Sequence, residues 1–219
     1  MTSATELYSD AVNASLDNPA LRGDPSGMGT SRVEAFSDGV IAIIVTIMVL
    51  ELKLPADGSP QSLLKIAPTV LSYILSFIVV AIMWVNHHQL LHAARHADAR
   101  LLWTNNFLLF CMSLIPFATA YLGQHYVDPL PAALYGAVMT LSGLGFTLLR
   151  SAIRRHHAHD RARLAHIRQR KNWFSVALYA SSVPLAYYSV WLSFGIFVLI
   201  PVMYFMPESL TETETGAAR

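Results

Sequence analysis

The sequence predicts an all-α, polytopic membrane protein, and two observations carry that prediction. Of the 219 residues, 54% are hydrophobic and only 13% charged, with a mean hydropathy of +0.43. Soluble domains carry about a quarter charged residues, so this composition belongs to a bilayer. The apolar residues also gather into six runs, each close to the roughly 20 residues that a helix needs to cross a membrane. Cys111 is the lone cysteine, which leaves no disulfide within the chain, and in its apolar run it reads as a small core residue. A net charge of +1 gives no footing for a nucleic-acid partner.

Along the chain, residues 1–30 are polar and rich in Asp, Asn, Ser, Pro and Gly. They read as a flexible tail without a cleavable leader. Residues 31–206 form the membrane domain, with spans predicted at 33–52, 68–91, 101–122, 130–149, 173–188 and 189–205. The last two touch, and Pro184 with Tyr187 and Tyr188 marks the turn between them; five spans with one broken helix is the alternative reading. Residues 207–219 are a second tail.

Basic residues set the orientation. Lys53 and Lys65 flank the first connection, whereas the loop 150–172 carries Arg150, Arg154, Arg155, Arg161, Arg163, Arg168, Arg170 and Lys171. With six spans, all of the 15 basic residues except Lys53 and Lys65 fall on one side. The positive-inside rule makes that side, and both termini, cytoplasmic. The basic loop is accordingly read as a topology signal. The protein is expected in the cell membrane, in contact with its lipids.

Polar groups inside the spans are the candidates for function. A carboxylate at the bilayer centre costs about 2.5–3.5 kcal/mol on insertion scales, so Asp38 needs a partner or a task. Around the first helix, at about 100° per residue, Phe36, Gly39, Thr46, Ile47 and Leu50 all fall within about 60° of Ile43. Asp38 lies about 140° away, on the opposite face. From periodicity alone, the stripe is better explained as helix-packing surface than as a pore wall. Asp38, Asn105, His87 and His88 also share one membrane level, roughly 7 Å inside the interface. Polar groups at one depth in lipid must find each other. Ser37 and Asp38 are therefore expected to bond to His87 or His88 and to Asn105, with Trp84 and Trp103 close by. The role is structural, clamping the first three helices.

The residues Arg32, Phe36, Ser37, Asp38, Gly39, Ile43, Thr46 and Leu50 resemble the first helix of the transmembrane protein 175 potassium channels. Trp84-Val85-Asn86-His87-His88, Leu102-Trp103-Thr104-Asn105-Asn106 and Ser113-Leu114-Ile115-Pro116-Phe117 resemble its second and third helices. The match is strong over 32–123 and compatible beyond. It implies six transmembrane helices per subunit, one repeat per chain and a homotetramer with the first helix lining a central pore. It also implies conduction of K⁺ and other monovalent cations, with modest preference for K⁺ over Na⁺ and no cofactor besides the permeant ion. In this resemblance Ile43 forms the narrow apolar constriction, Ile47 and Leu50 continue it outward, and Thr46 supplies a ring of hydroxyls. No Thr-Val-Gly-Tyr-Gly filter loop is present, so selectivity rests on side chains. Glu51 and Asp57, near the outer mouth, read equally well as ordinary solvated charges or as groups that raise the local cation concentration.

A second reading is a cation or metal transporter. His88, His92 and His96 recur on one helical face, and His156, His157 and His159 add imidazoles in the basic loop. That cluster trails off at the membrane boundary among basic residues, which oppose a bound dication. An enzyme has less support: there is no His-Glu-x-x-His, no Ser/His/Asp spacing and no paired carboxylate. Gly136, Gly143 and Gly145 read as close helix packing.

Overall fold

In the computed structural model the described residues are 29–94, 97–154 and 162–205, with side chains described from 171 onward in the last stretch. Both tails, His96, and His156, His157 and His159 of the basic loop lie outside them, as do the side chains of most of that loop's arginines. All the regular elements among the described residues are helices. In order they are α1 (Thr30–Leu50), α2 (Pro60–Lys65), α3 (Ala67–His92), α4 (Ala99–Ser113), α5 (Ile115–Gln124), α6 (Pro129–Arg154), α7 (Ala162–Tyr188) and α8 (Val190–Phe205).

Local chemistry explains the starts. Ser59 caps α2 by accepting from the Ser62 N–H at 3.2 Å, with Pro60 in the first turn, where its missing donor costs nothing. Asp98 caps α4 by accepting from the Leu101 N–H at 2.8 Å. The break between α4 and α5 falls at Leu114, two residues before Pro116, whose ring cannot donate back into α4. Together α4 and α5 make one path from Ala99 to Gln124. Among the described residues, that path, α1, α3 and α6 are the four stretches long and apolar enough to cross a membrane, and α8 is apolar but shorter. The chain is a multi-pass membrane protein.

The turn before the last helix falls at the expected span boundary, but Pro184 takes no part in it. Pro184 sits inside α7, and the break comes at Ser189. Helices buried among neighbours tolerate an internal proline because other groups satisfy the freed carbonyl, so proline alone is a poor stop signal here. Past the break α8 folds back along α7. Ser182 accepts on its carbonyl from Ser193 Oγ at 2.9 Å, Tyr179 meets Phe197 with centroids 6.3 Å apart, and Ser175 reaches Tyr204 at 3.5 Å. Residue numbers rise on one helix as they fall on the other, which defines an antiparallel hairpin.

The core lies where α6 meets α4, α5, α7 and α8, with Tyr135, Met139, Leu108 and Phe197 fully buried. Ser76 Oγ bridges Tyr135 OH at 3.0 Å and Thr119 Oγ1 at 2.8 Å, which ties α3, α6 and α5 together by hydroxyls alone. Small residues let the backbones close up: a Cβ added at Gly143 meets Val176 Cγ2 at 2.6 Å, and one at Gly145 meets Leu108 Cα at 3.1 Å. The tightest backbone approach is at Gly123, where a Cβ would lie 2.6 Å from Thr69 Cα. Backbone cannot swing aside, so Gly123→Ala should lower stability by about 1–3 kcal/mol. Gly195→Ala, which meets nothing within 4 Å, should be neutral or slightly favourable. Thermal unfolding in detergent separates the two.

Candidate functional site

Helix α1 packs against α3, α4 and α5, and this contact divides it into two faces. Val33, Ser37, Ile41, Ile44 and Met48, spaced by three or four residues, are buried. The other face carries Phe36, Gly39, Ile43, Thr46, Ile47 and Leu50, all exposed in the single chain. The contrast is sharp at adjacent positions: Ile43 is 57% exposed and Ile44 is 3%. The stripe is thus an apolar surface that its own subunit leaves uncovered. Thr46 is the polar side chain on it, and its hydroxyl donates to the Ile43 carbonyl at 2.9 Å. With the proton spent inside the helix, what Thr46 offers outward is acceptor lone pairs.

Polar bonds hold the opposite face. Asn105 Nδ2 donates to Ser37 Oγ at 2.9 Å, and Ser37 Oγ donates to the Val33 carbonyl at 2.7 Å. Asn105 Oδ1 then accepts from His87 Nε2 at 2.7 Å, so His87 carries its proton on Nε2. Ser37, His87 and Asn105 are all buried, and the chain of bonds joins α1, α4 and α3. Half-buried Asp38 accepts from Trp84 Nε1 at 2.9 Å, a second tie between α1 and α3.

The remaining candidates fall elsewhere. His88 stays out of the Ser37–Asn105 chain: its Nδ1 lies 2.8 Å from Glu34 Oε1, and the same oxygen lies 3.2 Å from His92 Nε2. Arg32 is exposed. Trp103 is 76% exposed and points away from the cluster. The reason is helical phase: Asn105 faces inward, and a residue two positions earlier stands about 200° round the helix. Depth along the membrane places Trp103 correctly but carries no information about direction. Glu34 is the member that sequence reasoning passed over. An acid in a first turn usually complements the helix dipole, and only pairing it with the histidines at the end of α3 would have marked it.

At the other end of α1, Glu51 follows the last turn and Asp57 lies in the connection. The hydroxyl and backbone N–H of Ser59, helped by the Ser62 hydroxyl, hold the Asp57 carboxyl below the usual carboxylate range. It therefore keeps its negative charge to lower pH than an ordinary aspartate.

Asp38→Ala tests the clamp. It leaves the Trp84 N–H without its acceptor, at about 1–3 kcal/mol in each subunit. The expected outcome is poorer assembly and expression, read by size-exclusion chromatography, with little change in ion preference. A normal assembly with altered ion preference would put Asp38 on the permeation path.

Comparison with known proteins gives the family. Residues 32–116 match the family model described as the endosomal/lysosomal potassium channel TMEM175. A potassium channel of Chryseobacterium sp. (strain P1-3) is 37% identical over 186 residues, covering 84% of this chain and 97% of that one. A potassium channel of Chamaesiphon minutus is 31% identical over 197 residues, covering 82% and 95%. The crystal structure of a lysosomal potassium-selective channel TMEM175 homolog from Chamaesiphon minutus superposes with a TM-score of 0.71 at 30% identity, over 80% of this chain and 95% of that one. The chain belongs to the TMEM175 family.

Proposed function

We propose that this protein is a potassium-permeable cation channel with modest preference for K⁺ over Na⁺, gated by a hydrophobic constriction. Four copies, each with six transmembrane helices and both termini on the cytoplasmic side of the cell membrane, surround a pore lined by α1. The observation that carries this reading is the exposed apolar stripe of α1, set against a buried face pinned by Ser37 and Asn105. Lipid would cover such a stripe in a monomer as well, so the family to which the chain belongs, together with Thr46 on the stripe, is what favours a pore. Beside the stripe, Val40, Ile43 and Ile47 with Pro116, Phe117 and Ala120 line a groove of about 320 Å³, large enough to take side chains of a neighbouring copy.

The mechanism follows from the chemistry of the stripe. Four Ile43 side chains at one level offer no oxygen to an ion that has shed water, so the ring is a desolvation barrier. Splaying the ring admits water and ions together. Just beyond it, four Thr46 hydroxyls present acceptors that suit weakly hydrated K⁺ better than Na⁺. Few oxygens replace the hydration shell, so selectivity is modest. Glu51 and the persistently ionised Asp57 attract cations to the mouth on their side.

Liposome flux of K⁺ against Na⁺, with native mass spectrometry in mild detergent, tests both parts. K⁺ flux above Na⁺ flux from a tetramer is expected; a monomer that still conducted K⁺ would overturn the shared pore.

A further inference from the structure

The end of α1 that begins at Thr30 carries a side-chain cluster outside the stripe and the Ser37–Asn105 chain. Glu34 Oε1, His88 Nδ1 and His92 Nε2 all lie within 4.8 Å of one another. We propose that these three residues form a divalent transition-metal site, best suited to Zn²⁺, that fastens the start of the α1 helix to the end of α3.

The donor set favours it. Two imidazoles and one carboxylate match the N/O ligands of Zn²⁺, whereas Mg²⁺ and Ca²⁺ demand oxygen. His88 and His92 are one turn apart on α3, the spacing at which two imidazoles on one helix face reach a common point. Their ring centroids are 4.4 Å apart at 84°, so the rings converge and do not stack. Ligand atoms about 2.0–2.2 Å from a tetrahedral ion stand about 3.4 Å from each other. The Glu34 oxygen is 3.2 Å from His92 Nε2, close to that separation, and 2.8 Å from His88 Nδ1, a pair that a bound ion would part by about 0.6 Å.

A second observation concerns His88. Its Nδ1 is shielded from solvent and makes no hydrogen bond, although the Glu34 carboxylate is beside it. An ion bound by both atoms, to one side of the line joining them, gives that nitrogen a partner. Glu34 is held with its side chain 18% exposed, His88 at 41% and His92 at 61%. The fourth position of a tetrahedron thus faces outward, open to water and to ions arriving from solution. The histidines alone sit among basic residues; Glu34 supplies the negative charge that a dication needs, and Asp38 adds another one turn along α1.

The location gives the site a consequence. Trp84, whose ring stacks on His88 with centroids 5.8 Å apart, is the residue that holds Asp38. A metal on His88 and His92 therefore stiffens the same α1–α3 contact. Insofar as α1 lines the pore, which rests on the function proposed above, occupancy restrains the movement that opens the Ile43 ring.

Co²⁺ titration of the purified full chain in nanodiscs, followed by visible absorption and displacement by Zn²⁺, tests the site directly. One tetrahedral Co²⁺ per chain is expected, with a rise in unfolding temperature. His92→Ala and Glu34→Gln should each weaken binding by more than the about 10–100-fold that a second-shell change costs. His125→Ala, on the connection between α5 and α6, should not alter it. Nor should joint replacement of His156, His157 and His159 by Ala. Unweakened binding in His92→Ala, or loss of binding in the triple variant, would overturn the site. Zn²⁺ should also lower K⁺ flux in wild-type liposomes and not in His92→Ala. Flux that ignores saturating Zn²⁺ would remove the regulatory consequence, while a complete lack of flux with metal still bound counts against the channel reading alone.

Discussion

Replacing Ile43 by Asn is expected to raise cation flux and to narrow the gap between K⁺ and Na⁺. Ile43 sits at the centre of the uncovered stripe, with its side chain 57% exposed in the isolated subunit. In the proposed pore, an ion at that ring loses water and gains nothing. Leaving polarity unsatisfied in an apolar setting costs about 2–7 kcal/mol per group, and an amide at each of four positions removes part of that cost. The barrier should fall by several kcal/mol, with flux rising accordingly and discrimination falling because hydrated ions now pass. Ile43→Val keeps the ring apolar and should keep flux low. Thr46→Ala should act differently, lowering K⁺ preference with less effect on total flux. Ile44→Asn looks like a neighbouring control but is not one. Ile44 is buried within the subunit, so the change should damage folding. Isotope flux into liposomes at matched protein content measures all of these.

Asn105→Ala should cause the largest loss of stability among the polar positions. Asn105 is the hub between α1 and α3: it accepts from His87 Nε2 and donates to Ser37 Oγ. Truncation strands a buried imidazole N–H and removes the donor to Ser37, at about 1–3 kcal/mol for each group. Ser37 retains its bond to the Val33 carbonyl, so His87 bears most of the loss. His87→Leu in the Asn105→Ala background should then recover part of the stability, because replacing both partners of a buried hydrogen bond is far cheaper than removing one. Thermal unfolding of the wild type, both single variants and the double variant gives the coupling directly. Equal stability of Asn105→Ala and wild type would mean that the network does not hold α1 in place.

Much of this architecture was legible in the sequence, and the gaps have physical causes. The apolar runs located α1, α3, the joint path of α4 and α5, and α6, because a bilayer demands long uninterrupted apolar stretches and little else produces them. Depth pointed to Ser37 and Asp38 bonding to His87 or His88 and to Asn105; Ser37, Asn105 and His87 do form that chain, whereas Asp38 bonds to Trp84 instead. Depth could not distinguish Trp103 from Asn105, since both lie at one level and only helical phase separates them. It also could not assign His88, whose partner Glu34 looks like an ordinary first-turn acid when α1 is read alone. The Ser76, Thr119 and Tyr135 bridge left no trace, because isolated hydroxyls in apolar runs are common and carry no period. The span bounds put the last turn at 188–189, where it falls, whereas Pro184, read as part of the turn, lies inside α7, because proline stops helices reliably in water and much less so among packed helices.

Cysteine accessibility along α1 tests the central claim most directly. Cys111 is buried and leaves a low background for thiol reagents. In liposomes conducting K⁺, Ile43→Cys should react with a small cationic methanethiosulfonate and lose its flux, while Ile44→Cys should be left unmodified. Flux block at position 44, or full modification at 43 with flux unchanged, would contradict a pore lined by this face of α1.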